Sequence, residues 1–114
     1  MFAHCDLLSA NVIVRPKSAA APSGEDSVET VNFIDYEYAT PSPAAFDIAN
    51  HFAEWAGYDC DYNLIPTRSV RRGFIEEYVQ SYSKNASLDT NQEETVEKLY
   101  KDVDQYRGIP GFYW

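Results

Sequence analysis

The fold of this chain is constrained most strongly by two short apolar runs. A segment unsuited to regular structure separates them. The first run is Val12 to Val14, and the second extends from Val28 to Ile34. Both have the length and the β-branched composition of strands. The segment between them, 16–27, is rich in Pro, Ala and Ser and has no hydrophobic period, which is typical of a surface loop. The sequence therefore predicts a β-hairpin whose first strand is short and buried.

Three segments after the hairpin have the hydrophobic spacing of helices. The run from Thr40 to Pro43 must redirect the chain, because each of its prolines removes an amide donor. Helices are predicted over 44–56, from an N-cap at Thr67 to about Tyr82, and after the capping-box pair Thr90 and Glu93. The expected fold class is α+β, with a hairpin followed by about three helices. The predicted buried side of the second helix consists of Val70, Phe74, Ile75, Tyr78 and Val79.

Length, charge and cysteine content narrow the function classes. A chain of 114 residues is at most one ordinary domain. Its formal net charge of −9 disfavours nucleic-acid binding, which requires clustered Lys and Arg. The basic cluster Arg68, Arg71 and Arg72 is predicted to be a solvated helix face or a salt-bridge set. Cys5 and Cys60 lack metal or redox spacing, so we expect reduced thiols and a cytoplasmic protein. No apolar run is long enough for a membrane span.

The first strand is preceded by a polar motif with chemical meaning. His4, Asp6 and Asn11 have the spacing H-x-D-x4-N of a phosphotransferase catalytic loop. In such a loop the Asp deprotonates the acceptor hydroxyl and the Asn helps to hold Mg²⁺. Asp35 follows the second run, where a second metal-binding Asp is required, and its hard oxygens suit Mg²⁺. The alternative is a β-hairpin with exposed acids at its ends.

Four polar residues share one side of the first predicted helix. Asp47, Asn50, His51 and Glu54 are spaced by three, four and seven residues, which aligns them along the helix axis. From the residues alone, this pattern favours a solvated polar face.

Three sequence blocks give the chain a family resemblance. The blocks are H-C-D-L-L-S-A-N-V-I-V, F-I-D-Y-E-Y and F-D-I-A-N-H-F-A-E-W. Together they resemble the C-terminal lobe of the choline and ethanolamine kinases. The first block is shared with many kinase-like phosphotransferases, whereas the other two in this order are specific to this family. The resemblance implies a protein-kinase-like fold and a partial C-terminal lobe over 1–114.

The resemblance also implies residue roles. Asp6 would be the catalytic base, Asn11 and Asp35 would bind Mg²⁺, and Glu37 would support the metal or the substrate. Residues that line or adjoin the amino-alcohol pocket would be Tyr38, Glu54, Trp55 and Trp114. Structural hydrogen bonders that hold the site would be His4, Asp47, Asn50 and His51. The last assignment replaces the solvated face that the spacing favoured.

The implied reaction is transfer of the ATP γ-phosphoryl group to ethanolamine, with Mg²⁺ as cofactor. This reaction is the first step of the CDP-ethanolamine route to phosphatidylethanolamine, and the full-length family member can form a homodimer. The connector 54–69 and the ending 106–114 look most like fungal ethanolamine kinases. Choline kinase and a non-catalytic module that binds cations or partners stay open as alternatives. An aminoglycoside or homoserine kinase-like protein is disfavoured, because it should lack the third block.

The chain lacks the nucleotide-binding features of a complete kinase. It contains no G-x-G-x-x-G or G-x-x-x-x-G-K pattern, and three residues precede His4. The expectation is a C-terminal lobe fragment without its N-terminal nucleotide-binding lobe, marginally folded and inactive alone.

Overall fold

Two small antiparallel sheets and four helices make up the part of the chain that the structure describes. This computed structural model describes residues 1–15, 30–87 and 91–113. The strands are β1 Phe2–Ala3, β2 Val12–Arg15, β3 Thr30–Phe33 and β4 Thr40–Pro41. The helices are α1 Ala44–Glu54, α2 Arg68–Ala86, α3 Gln92–Tyr106 and α4 Pro110–Tyr113. Turns of 3-10 helix lie at Ser9–Asn11 and Tyr62–Leu64. The predicted surface loop 16–27, Val28, Thr90 and Trp114 lie outside the described residues.

The predicted hairpin is confirmed, but the burial of its first strand is not. β2 and β3 pair antiparallel, with Val12 opposite Phe33 and Arg15 opposite Thr30. Ile13 and Val14 are 42% and 51% exposed, so the prediction of a buried strand is wrong. The two strands contact chiefly each other, and their contacts with the described helices are few. A β-branched run identifies a strand without showing whether another layer covers it.

The hydrophobic core lies between the three long helices. One side of α1 packs against α3, and α2 packs against α3. Phe52 of α1, Ile75 of α2 and Val103 of α3 are all fully buried at the centre. Burying a side chain such as Phe52 contributes about 1.5–3 kcal/mol, so these contacts fix where α1 lies. The remaining core residues are Ala45, Ile48, Ala49, Val79 and Val96.

The start of α2 follows the prediction, whereas its buried side is narrower than expected. The Thr67 hydroxyl accepts the Val70 amide at 3.4 Å and caps the helix. Val70 is 45% exposed and Phe74 is also exposed, which contradicts their predicted burial. The described buried positions recur every four residues along one line of the helix, which leaves room for a single row of contacts. That row is Arg71, Ile75, Val79 and Ser83.

Arginines near the start of α2 join this helix to α3. Arg71 is only 4% exposed, and its guanidinium donates to Pro66 carbonyl at 2.9 Å, Tyr100 hydroxyl at 3.2 Å and Asp104 carboxylate at 3.3 Å. The neighbouring Arg72 forms ion pairs with Glu76, Glu93 and Glu97. The predicted salt-bridge set is therefore confirmed for Arg71 and Arg72, and the alternative of a solvated face is wrong for Arg71.

The first turn of α3 is capped one residue later than the sequence predicted. The Asn91 side chain accepts the Glu94 amide at 3.5 Å, and Asn91 is the N-cap. Asn is as good a cap as Thr, so the spacing of Thr90 and Glu93 did not decide the boundary.

Candidate active site

The loop from His4 to Asn11 is held against α1 through its main chain. The Asp47 carboxylate accepts the His4 amide at 3.0 Å and the Cys5 amide at 2.8 Å, one on each oxygen. Cys5 is buried and has a left-handed backbone with φ of 63°. One negative side chain near the start of α1 therefore fixes two successive amides and a sharp turn.

The next two polar residues of α1 bind carbonyl groups of the same loop. Asn50 Nδ2 donates to the Cys5 carbonyl at 3.1 Å, and His51 Nδ1 donates to the Leu7 carbonyl at 2.7 Å. Asn50 is 0% exposed, so the solvated face that the spacing favoured is wrong there. Positions 47, 50 and 51 lie on one side of the helix, and the loop covers that side.

The His4 ring ties the loop to the end of the hairpin. Its Nε2–H donates to the Ile34 carbonyl at 2.8 Å, and its Nδ1 accepts the Asp6 amide at 3.3 Å. Because a carbonyl cannot donate, these two bonds define a single neutral tautomer. The ring also lies 4.7 Å from the Tyr36 ring. His4 thus acts on the shape of the loop and carries no free nitrogen toward a substrate.

Asn11 orients Asp6 across the loop. Asn11 Nδ2 donates to the Asp6 carbonyl at 2.9 Å and to the Asp6 carboxylate at 3.2 Å. The Asn11 carbonyl accepts the Ile34 amide at 3.1 Å, which joins the loop to the hairpin a second time. None of the described residues donates to Asn11 Oδ1. The amide nitrogen is therefore used internally, and the amide oxygen accepts no bond from the described residues.

Asp35 lies directly after this double attachment. It is exposed and has a left-handed backbone with φ of 63°, a conformation that Asp tolerates better than most residues. The carboxylates of Asp6 and Asp35 and the amide oxygen of Asn11 are hard ligands of the kind that Mg²⁺ prefers, so their chemistry fits this ion. Within the described residues, no group of three or more His, Cys, Asp and Glu side chains is placed to hold a metal.

A cavity of about 500 Å³ opens between the loop and the end of α1. Burial raises the pKa of its acidic residue, Glu54, and the negative charge of Asp6 raises that pKa further, whereas a positive charge on His51 would lower it. The charge of Asp6 in the loop thus acts on an acidic residue that lines this cavity. The described lining residues are Leu7, Ser9, His51, Glu54, Trp55, Gly57 and Leu64.

The structure brings together some of the predicted pocket residues and leaves others apart. Glu54 and Trp55 line the cavity, whereas Tyr38 is not among its described lining residues. Tyr38 and Glu37 lie in an exposed turn that is closed by a 3.0 Å bond from the Ala39 amide to the Tyr36 carbonyl. Trp114 lies outside the described residues.

The sequence patterns did not predict two contributions to the site, one from the backbone of the loop and one from the connector after α1. Leu7 accepts a bond through its carbonyl, and no side-chain pattern reports such a role. Leu64 reaches the cavity because the connector turns back after Gly57, whose φ is +65°. The glycine that follows the helix was the available signal for this reversal.

Comparisons with known proteins extend over the whole chain. The family model described as Choline/ethanolamine kinase matches residues 1–114. A probable ethanolamine kinase of Nematostella vectensis is 40% identical over 117 residues, which are 100% of this chain and 31% of the relative. A probable choline kinase of Arabidopsis thaliana is 32% identical over 120 residues, which are 99% of this chain and 30% of that protein.

A solved structure matches the fold as well. An ethanolamine kinase of Plasmodium vivax has a TM-score of 0.70 and 33% identity, over 93% of this chain and 24% of the other. The match confirms the expected α+β, protein-kinase-like fold of a partial lobe. The chain spans less than a third of the length of these relatives. Among the described helices, none has both the length and the apolar character needed to cross a membrane.

Proposed function

The chain belongs to the choline/ethanolamine kinase family, and we propose from this membership that it supplies the acceptor side of an ATP-dependent ethanolamine kinase. The observation that carries the proposal is the Asn11 amide bonded to the Asp6 carboxylate at 3.2 Å, next to a cavity lined by Glu54 and Trp55. The proposed base, Asp6, directly precedes the lining residue Leu7, and its charge acts on Glu54, the proposed cation-binding group.

Asp6 is the group proposed to accept the proton of the acceptor hydroxyl. Its carboxylate is partly exposed and is oriented by Asn11, so one face is free to meet a substrate. Asn11 Oδ1 and the Asp35 carboxylate are the proposed ligands of Mg²⁺. When bound, the ion would offset negative charge on the phosphate oxygens of ATP. Positioning and charge compensation are the main contributions to catalysis in phosphoryl transfer.

Glu54 and Trp55 are proposed to hold the ammonium end of the acceptor. The carboxylate can pair with an N–H donor, and the indole face attracts a cation through its quadrupole. Burial and the charge of Asp6 both raise the pKa of Glu54, and a bound cation would relieve this repulsion. The electrostatics of the cavity therefore favour a ligand with one positive charge.

Ethanolamine suits this cavity better than choline does. A primary ammonium has three N–H donors for Glu54, whereas a trimethylammonium has none and is held best by a cage of several rings. Trp55 and His51 are the two rings on the described lining, and one of them is an imidazole already engaged in hydrogen bonds. Similarity to a choline kinase makes choline the second candidate acceptor.

A ligand titration of the 114-residue chain tests the proposal. Ethanolamine and choline are each added in the presence of Mg²⁺, and binding is followed by the melting temperature and by NMR chemical shifts. We expect ethanolamine to raise the melting temperature more than choline does, and we expect Glu54→Ala to abolish the difference. The control is Glu77→Ala, because Glu77 is an exposed acid on α2 outside the cavity. Absence of an ethanolamine response, or an equal response in Glu54→Ala, contradicts the proposal.

A further inference from the structure

Resting on the proposed function, we infer that His51 is a positioning residue that couples the Trp55 ring in the cavity to the backbone of the catalytic loop. His51, Trp55 and Leu7 all line the same cavity of about 500 Å³. His51 hydrogen-bonds the other two residues at once, and each of its ring nitrogens serves one of them. The substrate-facing indole and the main chain next to Asp6 are therefore joined through one imidazole.

The two hydrogen bonds of His51 require a single protonation state. The Leu7 carbonyl lies 2.7 Å from Nδ1 and can only accept, so Nδ1 carries the hydrogen. The Trp55 indole N–H lies 3.3 Å from Nε2 and can only donate, so Nε2 carries the lone pair. The imidazole is thus neutral with its hydrogen on Nδ1. A doubly protonated ring would place two N–H groups against each other.

Aromatic packing holds the imidazole in this orientation. The Phe74 ring of α2 lies 5.5 Å away with its plane tilted by 37°, and the Phe52 ring lies 6.1 Å away. Phe52 belongs to the buried core, so the imidazole is braced by the body of the fold. A rotation of His51 would therefore displace either a core contact or the Leu7 bond.

The bond that Trp55 donates to His51 contributes to the orientation of the indole in the cavity. The two rings are edge to face, with an interplanar angle of 85° and centroids 6.0 Å apart. Trp55 follows the last residue of α1 and is 40% exposed, and its ring also lies edge to face with the Phe52 ring at 6.3 Å. The bond to His51 therefore acts together with this ring contact to orient the indole. A cation binds to the face of an indole and not to its edge, which makes this orientation matter for an ammonium ligand.

One variant of His51 and one of Trp55 distinguish an effect on the orientation of the indole from an effect on the stability of the fold. His51→Asn keeps a side-chain amide near the place of Nδ1, so the Leu7 bond is retained while the acceptor for Trp55 is lost. Trp55→Phe keeps an aromatic ring and removes the indole N–H. Ethanolamine affinity is measured by NMR titration in the presence of Mg²⁺ for the wild type, both single variants and the double variant. We expect His51→Asn to weaken binding about three- to tenfold, the effect of one lost hydrogen bond.

The decisive result is the absence of additivity. In the Trp55→Phe background, His51→Asn should have no further effect on affinity, because the bond it breaks is already gone. An equal loss in both backgrounds would show that His51 acts only through the fold, and it would overturn the inference. Melting temperatures identify any variant that has lost its structure.

A second readout does not depend on substrate. The indole ¹H–¹⁵N resonance of Trp55, assigned by its disappearance in Trp55→Phe, should move and lose exchange protection in His51→Asn. An unmoved resonance overturns the inference. The resonance could move although the wild type binds no ethanolamine. In that case the proposed function is wrong, and so is the role of His51 toward the substrate. The hydrogen bond between His51 and Trp55 would still be supported.

Discussion

Asn11 and Asp6 are joined twice, because one amide nitrogen donates to the Asp6 carbonyl at 2.9 Å and to its carboxylate at 3.2 Å. Asn11→Ala removes both bonds and leaves the Leu8 amide, at 3.0 Å, as the remaining donor to the Asp6 carbonyl. We expect a loss of about 1–3 kcal/mol in the free energy of unfolding, measured by urea denaturation. Asn85→Ala is the matched control, because Asn85 Nδ2 donates to the Ser81 carbonyl at the same 2.9 Å on an exposed helix surface. A larger loss in the control would contradict the structural importance of Asn11.

Asp47 should be more important for stability than its place on a helix surface suggests. Asp47→Ala removes the acceptor of the His4 and Cys5 amides. Hydrogen bonds to charged groups are stronger than those between neutral groups, so we expect a loss of about 2–4 kcal/mol in the free energy of unfolding, measured by urea denaturation. Asp61 gives the comparison, since it also accepts two N–H groups, both from Asn63, but in an exposed turn. Equal losses for Asp47→Ala and Asp61→Ala would count against an anchoring role.

Two adjacent arginines should differ sharply in their effect on stability. Arg71→Met strips a buried guanidinium from Pro66, Tyr100 and Asp104, and we expect a loss of about 2–4 kcal/mol. Arg72→Gln breaks ion pairs to Glu76, Glu93 and Glu97, whose side chains are at least 43% exposed. Because solvent screens such pairs, we expect a much smaller loss of stability than for Arg71→Met. Denaturation at high salt should reduce the Arg72 effect and leave the Arg71 effect largely unchanged.

Glu54 should make stability depend on pH in the acidic range. Burial first, and then the charge of Asp6, raise the pKa of Glu54 above its usual 4.5. In the window between 4.5 and the raised value, the native state binds more protons than the unfolded state, so the contribution of Glu54 to stability falls as pH rises. Glu54→Gln should therefore gain stability relative to the wild type between pH 4 and pH 7, as measured by urea curves at about one-unit steps.

The Asp6→Asn variant provides the control for this pH effect. Because the Asp6 charge is the second cause of the shift, its removal should bring the pKa of Glu54 closer to the usual value and reduce the pH dependence. A steeper dependence in Asp6→Asn would contradict the electrostatic link between the loop and the cavity.

The 114-residue polypeptide assayed by itself should transfer no phosphate, because its sequence contains no glycine-rich phosphate-binding pattern. A coupled assay with ATP, Mg²⁺ and ethanolamine measures this directly. Turnover that disappears in Asp6→Asn would overturn the prediction, and turnover that persists in that variant would indicate a contaminating kinase.

Local sequence patterns predicted the elements, whereas burial and partners depended on distant residues. The Thr67 cap and the β2–β3 hairpin are confirmed, because their signals lie within a few positions of the structure they form. The exposure of Val14 could not be read from its own run, since it depends on what covers the sheet. Asn50 looked solvated because its partner, the Cys5 carbonyl, lies 45 residues earlier in the chain.

The residue types of the candidate site could be predicted from the sequence, whereas the hydrogen bonds that hold these residues in place could not. The spacing of His4, Asp6 and Asn11 indicated a catalytic loop, and the family resemblance placed Glu54 and Trp55 near a substrate pocket. The hydrogen bond between His51 and Trp55 had no sequence signal, because any residue pair spaced by four on a helix can be adjacent without bonding. Roles in binding and catalysis stay predictions until the variants above are measured.

The helix side chains at 47, 50 and 51 bind main-chain amides or carbonyls of His4, Cys5 and Leu7. These contacts depend on the loop main chain, so the side chain at 7 can be exchanged more freely than its position beside Asp6 suggests. A protein engineer could vary Leu7, which faces the cavity, to reshape acceptor selectivity without redesigning the turn. Variation at Cys5 is limited to small residues that accept a left-handed backbone.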